Sequence, residues 1–176
     1  ADLVHMVRIR PVIEDGIDRK DLSRIRERFL RLNRTRLERA EQSLSARQQQ
    51  VLRLLPLLLH VNHPLLPGYV SSATPAGLQG YQPEPGLIQE AQGLARSFVY
   101  RQRTGYGSSS LHSLFLMGSV GSIGHGNLSD MDFWLCHAAC LERAALDALR
   151  RKCDALQQWA ASLGCQLHIF LVNPEQ

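Results

Sequence analysis

The sequence lacks any apolar run long enough to cross a membrane, and it has few cysteines. A membrane span needs about 18 apolar residues or more, whereas the leucine-rich stretch 51–61 is short and contains Arg53, Pro56 and His60. No signal peptide is recognisable near the start. The four cysteines all lie in the last third of the chain. We therefore expect reduced thiols and a cytoplasmic protein.

The cysteines give little support for a zinc site. Cys136, His137 and Cys140 lie close together in the sequence, but no second pair of ligands has zinc-finger spacing. Cys136 is predicted to end a strand, and Cys153 occupies an apolar position of a predicted helix. We interpret these thiols as structural and expect no metal on them.

The chain has a formal net charge of +4, and its basic residues are concentrated in one stretch. Between Arg19 and Arg47 there are ten Arg or Lys residues and four Asp or Glu residues. A nucleic-acid-binding patch is one interpretation. The apolar residues of this stretch recur at helical spacing, and no aromatic residue joins the basic side chains on the other face. We favour a solvated helix face and expect no nucleic-acid partner.

With 176 residues, 44% of them hydrophobic, the chain can form one cored domain, with or without a helical appendage. We divide it into three parts. Residues 1–17 are predicted to be a tail, of which 1–6 resemble a cloning remnant. Residues 18–104 are predicted to form a helical segment, and residues 105–176 a core of three strands and one helix.

The helical segment is predicted to contain three helices. Apolar spacing indicates the first over 18–44. Ser45 opens a capping-box pattern that begins a second, largely apolar helix over 46–61, in which Pro56 should cause a kink or a break. After a long loop rich in glycine and proline, a third helix is predicted over 87–103.

The most informative stretch is 114–135. The apolar run 114–117 predicts a buried strand, and a turn rich in glycine and serine follows it. Asp130 and Asp132 then stand inside a second apolar run, where buried carboxylates need a partner. Alternate residues of a strand point to one side. Both carboxylates and Trp134 should therefore share a face on which a divalent cation can bind.

The turn between these two strands has the composition of a phosphate-binding loop. Gly118 allows the backbone to approach a phosphate closely, and Ser119 and Ser122 add hydroxyl donors. A Gly-Ser pair or an Asp-x-Asp is common when it stands alone. The order of strand, Gly-Ser, ten residues and Asp-x-Asp in a second apolar strand is far more specific. It resembles the nucleotidyltransferase signature of the DNA polymerase β superfamily.

Two blocks of sequence narrow this resemblance to one family. FLMGSVGSIGH at 115–125 with SDMDFWLCH at 129–137, and LLPLLLHVNHPLLPGYV at 54–70, resemble bacterial class I adenylate cyclases. The resemblance begins at about Asp18 and covers the front of a catalytic region in longer proteins, so we expect a truncation at the C-terminus. It implies an α+β, nucleotidyltransferase-like fold, in which helices cover a small mixed sheet of three strands.

The resemblance also implies a reaction, in which ATP is converted to 3′,5′-cyclic AMP and pyrophosphate with Mg²⁺ or Mn²⁺. Asp130 and Asp132 would hold the metal and carry catalysis. The phosphate-binding residues would be Gly118, Ser119 and Ser122, with His125 near them. Some cyclases of this class are regulated by the sugar phosphotransferase system, which makes a protein of that system an implied partner.

Many members of the superfamily place a third carboxylate on the strand that follows the helix. Here the helix is predicted over 140–163, with Gly164 as the glycine that ends it, and the strand over 165–172 contains no acid. Gln166 and His168 would face the site instead, where His168 is either a metal or phosphate contact or a solvent-facing residue. We therefore expect this chain alone to have little or no cyclase activity.

Two other functions fit the motif. Another nucleotidyltransferase would transfer a nucleotidyl group to a hydroxyl of a protein, an RNA or a small molecule. A regulatory module would bind nucleotide without turnover, which the missing third acid favours. The products formed from ATP and metal distinguish these possibilities. His60 and His63 are interpreted as structural residues in each case.

Overall fold

The computed structural model describes residues 45–102, 110–117 and 130–173. These residues form three helices and three strands in an α+β fold, as predicted. In chain order the elements are α1 (Ala46–His60), α2 (Pro85–Leu94), β1 (Leu111–Met117), β2 (Asp130–His137), α3 (Arg143–Ser162) and β3 (Gln166–Val172). The helix predicted over 18–44 lies outside the described residues.

The three strands form one mixed sheet with β2 in the centre. Strands β1 and β2 run antiparallel, whereas β2 and β3 run parallel and are joined by the crossover helix α3. Phe133 of β2 lies opposite Leu116 of β1 and Ile169 of β3, and all three are buried. This face of the sheet contributes to the hydrophobic core that the strands share with the helices.

Helix α1 is the buried centre of the helical segment. The Ser45 hydroxyl accepts from the Gln48 backbone N–H, and the Gln48 side chain accepts from the Ser45 N–H, which confirms the predicted capping box. All residues over 51–60 except Arg53 are buried. Pro56 was predicted to cause a kink or a break, and the break is excluded, since the helix continues through this residue. Packing around the helix offsets the one backbone hydrogen bond that proline cannot donate.

Helix α2 is shorter than predicted. It begins at Pro85, which suits a first helical position, and it ends at Leu94, well before 103. The Phe98 N–H then donates to a carbonyl three residues back, and the Gln92 side-chain amide donates to the Phe98 carbonyl. This reversal buries Phe98, and apolar spacing along the sequence does not reveal such a tertiary contact.

The loop between α1 and α2 packs against the rest of the protein. The Leu111 N–H donates to the Gly77 carbonyl, and the Gln79 N–H donates to the Leu111 carbonyl, which makes a short parallel bridge beside the start of β1. Leu78 is buried within this bridge. Its N–H donates to His60 Nδ1 at 2.9 Å, which gives His60 the structural role that we expected.

Helix α3 ends just before Gly164, the glycine at which the sequence predicts its end. Gly164 has a positive φ of 76°, and its N–H donates to the Ala161 carbonyl, while the Cys165 N–H donates to the Ala160 carbonyl. These two bonds form a Schellman motif, in which glycine takes the left-handed position. The predicted glycine stop of this helix is confirmed, and β3 begins directly after it.

Two contacts fasten α3 to the end of α1 and the turn after it. The Lys152 side chain is 1% exposed, and its ammonium donates to the Val61 carbonyl at 3.0 Å, where a cation also suits the helix dipole. Burial lowers the pKa of Lys152 to about 8. Gly68 has a φ of 91°, and a Cβ there would lie 2.9 Å from Leu156. Only glycine therefore allows the turn to approach α3 this closely.

The buried ammonium predicts a pH-dependent stability. The folded-state pKa of Lys152, about 8, lies below its ordinary value of 10.5, so the unfolded chain binds more protons between these values and stability rises with pH there. Relative to Lys152→Met, the wild-type free energy of unfolding should increase by about 1 kcal/mol from pH 7 to pH 9. Urea unfolding at several pH values measures this difference.

Burial raises the pKa of the Cys153 thiol to about 12, although the Lys152 charge acts to lower it. The folded thiol therefore stays protonated up to pH 9 with or without Lys152, and its pH dependence cancels in the comparison. Arg151→Met removes a cation at the adjacent, exposed position and should show no such trend. A difference between wild type and Lys152→Met that stays constant with pH would contradict the prediction.

Candidate functional site

One face of β2 and β3 carries exposed side chains, and we call it the open face. It ends at β1, where Phe115, opposite Trp134, is buried. It carries Asp132 and Trp134 on β2 and His168 and Phe170 on β3. Asp132 lies opposite His168 in the parallel register, and Trp134 lies opposite Phe170. Neighbouring strands lie about 4.8 Å apart. The four residues therefore form two adjacent rows across the two strands.

The alternation of apolar residues along β2 and β3 creates this face. Met131, Phe133 and Leu135 are buried on the other side of β2, and Leu167 and Ile169 are buried on the other side of β3. A shift of one residue would exchange the two faces and expose the apolar set. The hydrophobic core therefore fixes which side chains reach the open face.

Asp132 is the described carboxylate of the candidate site. It is half-buried, and it lies opposite Met117 of β1 as well as His168 of β3. Carboxylate oxygens are the ligands that Mg²⁺ and Mn²⁺ prefer, so its donor chemistry fits either ion. Asp130 begins β2 opposite Gln166, but its side chain lies outside the described part of the structure.

The predicted phosphate-binding turn begins directly after Met117 in the sequence. Gly118, Ser119, Ser122 and His125 all lie outside the described residues, so their roles stay predictions. Within residues 45–102, 110–117 and 130–173, no group of three or more His, Cys, Asp or Glu side chains is arranged to hold a metal ion.

The exposed residues of β3 lie beside Asp132, as the strand pattern predicted. Gln166 and His168 are both exposed, and the His168 ring is stacked on the Phe170 ring, with centroids 6.5 Å apart and planes inclined by 29°. The roles of Gln166 and His168 in binding stay predictions. No carboxylate of β3 joins Asp132, because the strand contains none.

Phe170 is the residue of this face that the sequence analysis missed. Its side chain is 51% exposed, and that of its neighbour Trp134 is 37% exposed. Gln166, His168 and Phe170 alternate along β3 with buried residues. That alternation was a signal in the sequence, because an aromatic residue continuing a polar row is expected on the exposed side.

The other candidate ligands in the described part of the chain differ in their surroundings. His63 Nδ1 accepts from the Leu65 N–H, and its ring packs edge-on against Phe98 with centroids 5.5 Å apart. Cys136 is buried and Cys140 is exposed. The four cysteines form no disulfide.

No helix among the described residues is both long enough and apolar enough to span a membrane.

Comparisons with known proteins give one consistent family. The model of the adenylate cyclase NT domain matches residues 21–176. The chain is 36% identical over 151 residues to an adenylate cyclase of Proteus mirabilis. It is 35% identical over 153 residues to adenylate cyclases of Salmonella typhimurium and Escherichia coli K12. No solved structure matches the chain.

Each of these alignments covers 85% of this chain but only 18% of the relative. The chain therefore spans less than a fifth of the length of the curated relatives it matches. The family model nevertheless covers most of the chain, in agreement with the resemblance seen in the two sequence blocks. The chain belongs to the adenylate cyclase NT domain family.

Proposed function

We propose that the chain is the front of the catalytic region of a class I adenylate cyclase, which converts ATP to 3′,5′-cyclic AMP and pyrophosphate. The observation that carries this proposal is the position of Asp132. It lies half-buried on the open face of β2 and β3, opposite the end of β1. In the sequence, β1 leads directly into the Gly118-Ser119 turn. The relatives named adenylate cyclase support the choice of reaction.

Asp130 and Asp132 hold Mg²⁺ or Mn²⁺ in this proposal. Their oxygen donors suit both ions, and their spacing of two residues along one strand favours a shared site. Gly118, Ser119 and Ser122 bind the β- and γ-phosphates through backbone N–H groups and hydroxyls. His125 and His168 are secondary candidates for phosphate contacts, and His168 has the support of its exposed position opposite Asp132.

The reaction exchanges one phosphorus–oxygen bond for another. The ribose 3′-oxygen of ATP forms a bond to the α-phosphorus, the bond from this phosphorus to the oxygen bridging to the β-phosphate breaks, and pyrophosphate leaves. The hydroxyl proton passes to solvent. Metal ions held by Asp130 and Asp132 would supply Lewis acidity for this exchange. The residues of this chain hold the triphosphate so that attack and departure are in line.

A second candidate function is nucleotide binding without turnover. On β3, the residues on the same side of the sheet as Asp132 are Gln166, His168 and Phe170, and none of them is an acid. A site with fewer carboxylates binds a second divalent cation less well. ATP binding by this chain without formation of cyclic AMP would identify the regulatory function, and a labelled acceptor would identify nucleotidyl transfer.

We also propose a cytoplasmic setting. The four cysteines are free thiols, which supports a reducing compartment such as the cytoplasm. Regulation by a protein of the sugar phosphotransferase system stays a prediction from the family resemblance.

Asp132→Asn tests the metal site. The amide keeps the shape of the side chain but removes its charge, so binding of ATP with Mn²⁺ should weaken about tenfold or more, the scale of a bond to a charged group. Isothermal titration calorimetry measures the affinity. Asp154→Asn removes one carboxylate from an exposed position on α3 and should have no effect. Unchanged affinity in Asp132→Asn would rule this residue out as a ligand.

Ser119→Ala tests the phosphate-binding turn. Loss of one hydroxyl contact to a charged phosphate should weaken nucleotide binding by roughly 1–2 kcal/mol. The binding of inorganic tripolyphosphate should weaken by the same amount, because the lost contact involves no base. Ser162→Ala is the control, since that hydroxyl donates to a carbonyl at the end of α3. Equal binding by Ser119→Ala and wild type would place the phosphates elsewhere.

A further inference from the structure

Four large apolar side chains are exposed among the described residues, and two of them are neighbours on the open face. Leu65 and Val99 lie on separate loops, whereas Trp134 and Phe170 lie directly opposite each other on β2 and β3. We propose that Trp134 and Phe170 form a platform on which the purine base of the nucleotide stacks. This inference rests on the proposed function, because it takes the phosphates to be bound near Asp132.

The position of the pair along the strands supports this assignment. Trp134 follows Asp132 by two residues on the same side of β2, about 7 Å further along the strand. In a nucleotide, the ribose separates the phosphates from the base, so the two binding sites must be adjacent without coinciding. One step along the strand gives that separation. The platform also lies toward the end of β2 away from the Gly-Ser turn.

The chemistry of the pair favours a flat, neutral heteroaromatic ring. Indole and phenyl rings offer faces on which a base can stack, and such stacking tolerates any base because each has a π-face. The His168 ring is inclined by only 29° to the Phe170 ring and continues the row of rings toward Asp132. The next opposite pair beyond the platform, Cys136 and Val172, carries no charge.

A later segment of a longer chain could also pack on these two rings. The experiment must therefore distinguish a bound base from such a segment. The chain contains two tryptophans, Trp134 and Trp159. In a Trp159→Phe protein, Trp134 is therefore the single tryptophan reporter. Titration with ATP and Mg²⁺ should quench its fluorescence, since a stacked base lies against the indole. Tripolyphosphate with Mg²⁺ should compete with ATP without quenching.

Variants of Phe170 separate base binding from phosphate binding. Phe170→Ala should weaken ATP binding about 5- to 150-fold, the range measured for base–aromatic stacking, and leave tripolyphosphate binding unchanged. Phe170→Tyr keeps the ring and should keep the affinity, which covers the case in which the alanine variant fails to fold. Leu65→Ala shortens an exposed apolar side chain on the turn after α1 and should leave the affinity for both ligands unchanged.

Each other outcome overturns the inference in a recognisable way. If ATP does not quench Trp134 fluorescence and Phe170→Ala binds ATP with full affinity, the platform is excluded. The proposed function stays intact in that case. Equal loss of ATP and tripolyphosphate affinity in Phe170→Ala would assign Phe170 to the phosphates or the fold. Failure of wild type to bind either ligand would overturn both the platform and the proposed nucleotide site.

Discussion

The alternation of buried and exposed residues along β2 is the constraint on which the rest of this structure depends. Met131, Phe133 and Leu135 are buried in the core, and their burial leaves Asp132 and Trp134 on the open face. The in-register pairing of β2 with β3 then aligns His168 and Phe170 with them. A carboxylate could not be held at this position in a strand without the apolar side chains that anchor the opposite face.

The helices hold that sheet in place through a few specific polar contacts. Lys152 joins α3 to the end of α1, and His60 accepts from the loop that runs beside β1. On the outer strand, the Gln157 side chain of α3 accepts from the Ile169 N–H at 2.8 Å, which satisfies a donor at the sheet edge. The helical segment is thus part of the same core as the strands.

The local features of this fold were predictable from sequence, whereas its long-range contacts were not. The Ser45 capping box, the Gly164 stop and the apolar alternation of β2 are short-range patterns, and the structure confirms them. The end of α2 was mispredicted, and of the two outcomes expected at Pro56, a kink or a break, the structure excludes the break. Tertiary packing decides both features. The metal-binding role of Asp130 and Asp132 came from motif and resemblance, and it stays a prediction.

Paramagnetic broadening by Mn²⁺ in NMR spectra is the most direct measurement of whether the open face is a metal site. Substoichiometric Mn²⁺ should broaden the amide signals of Asp132 and His168 and the indole signal of Trp134, and it should spare the indole of Trp159 on α3. Broadening centred on Cys140 or spread evenly over the protein would contradict a metal site at the Asp-x-Asp strand.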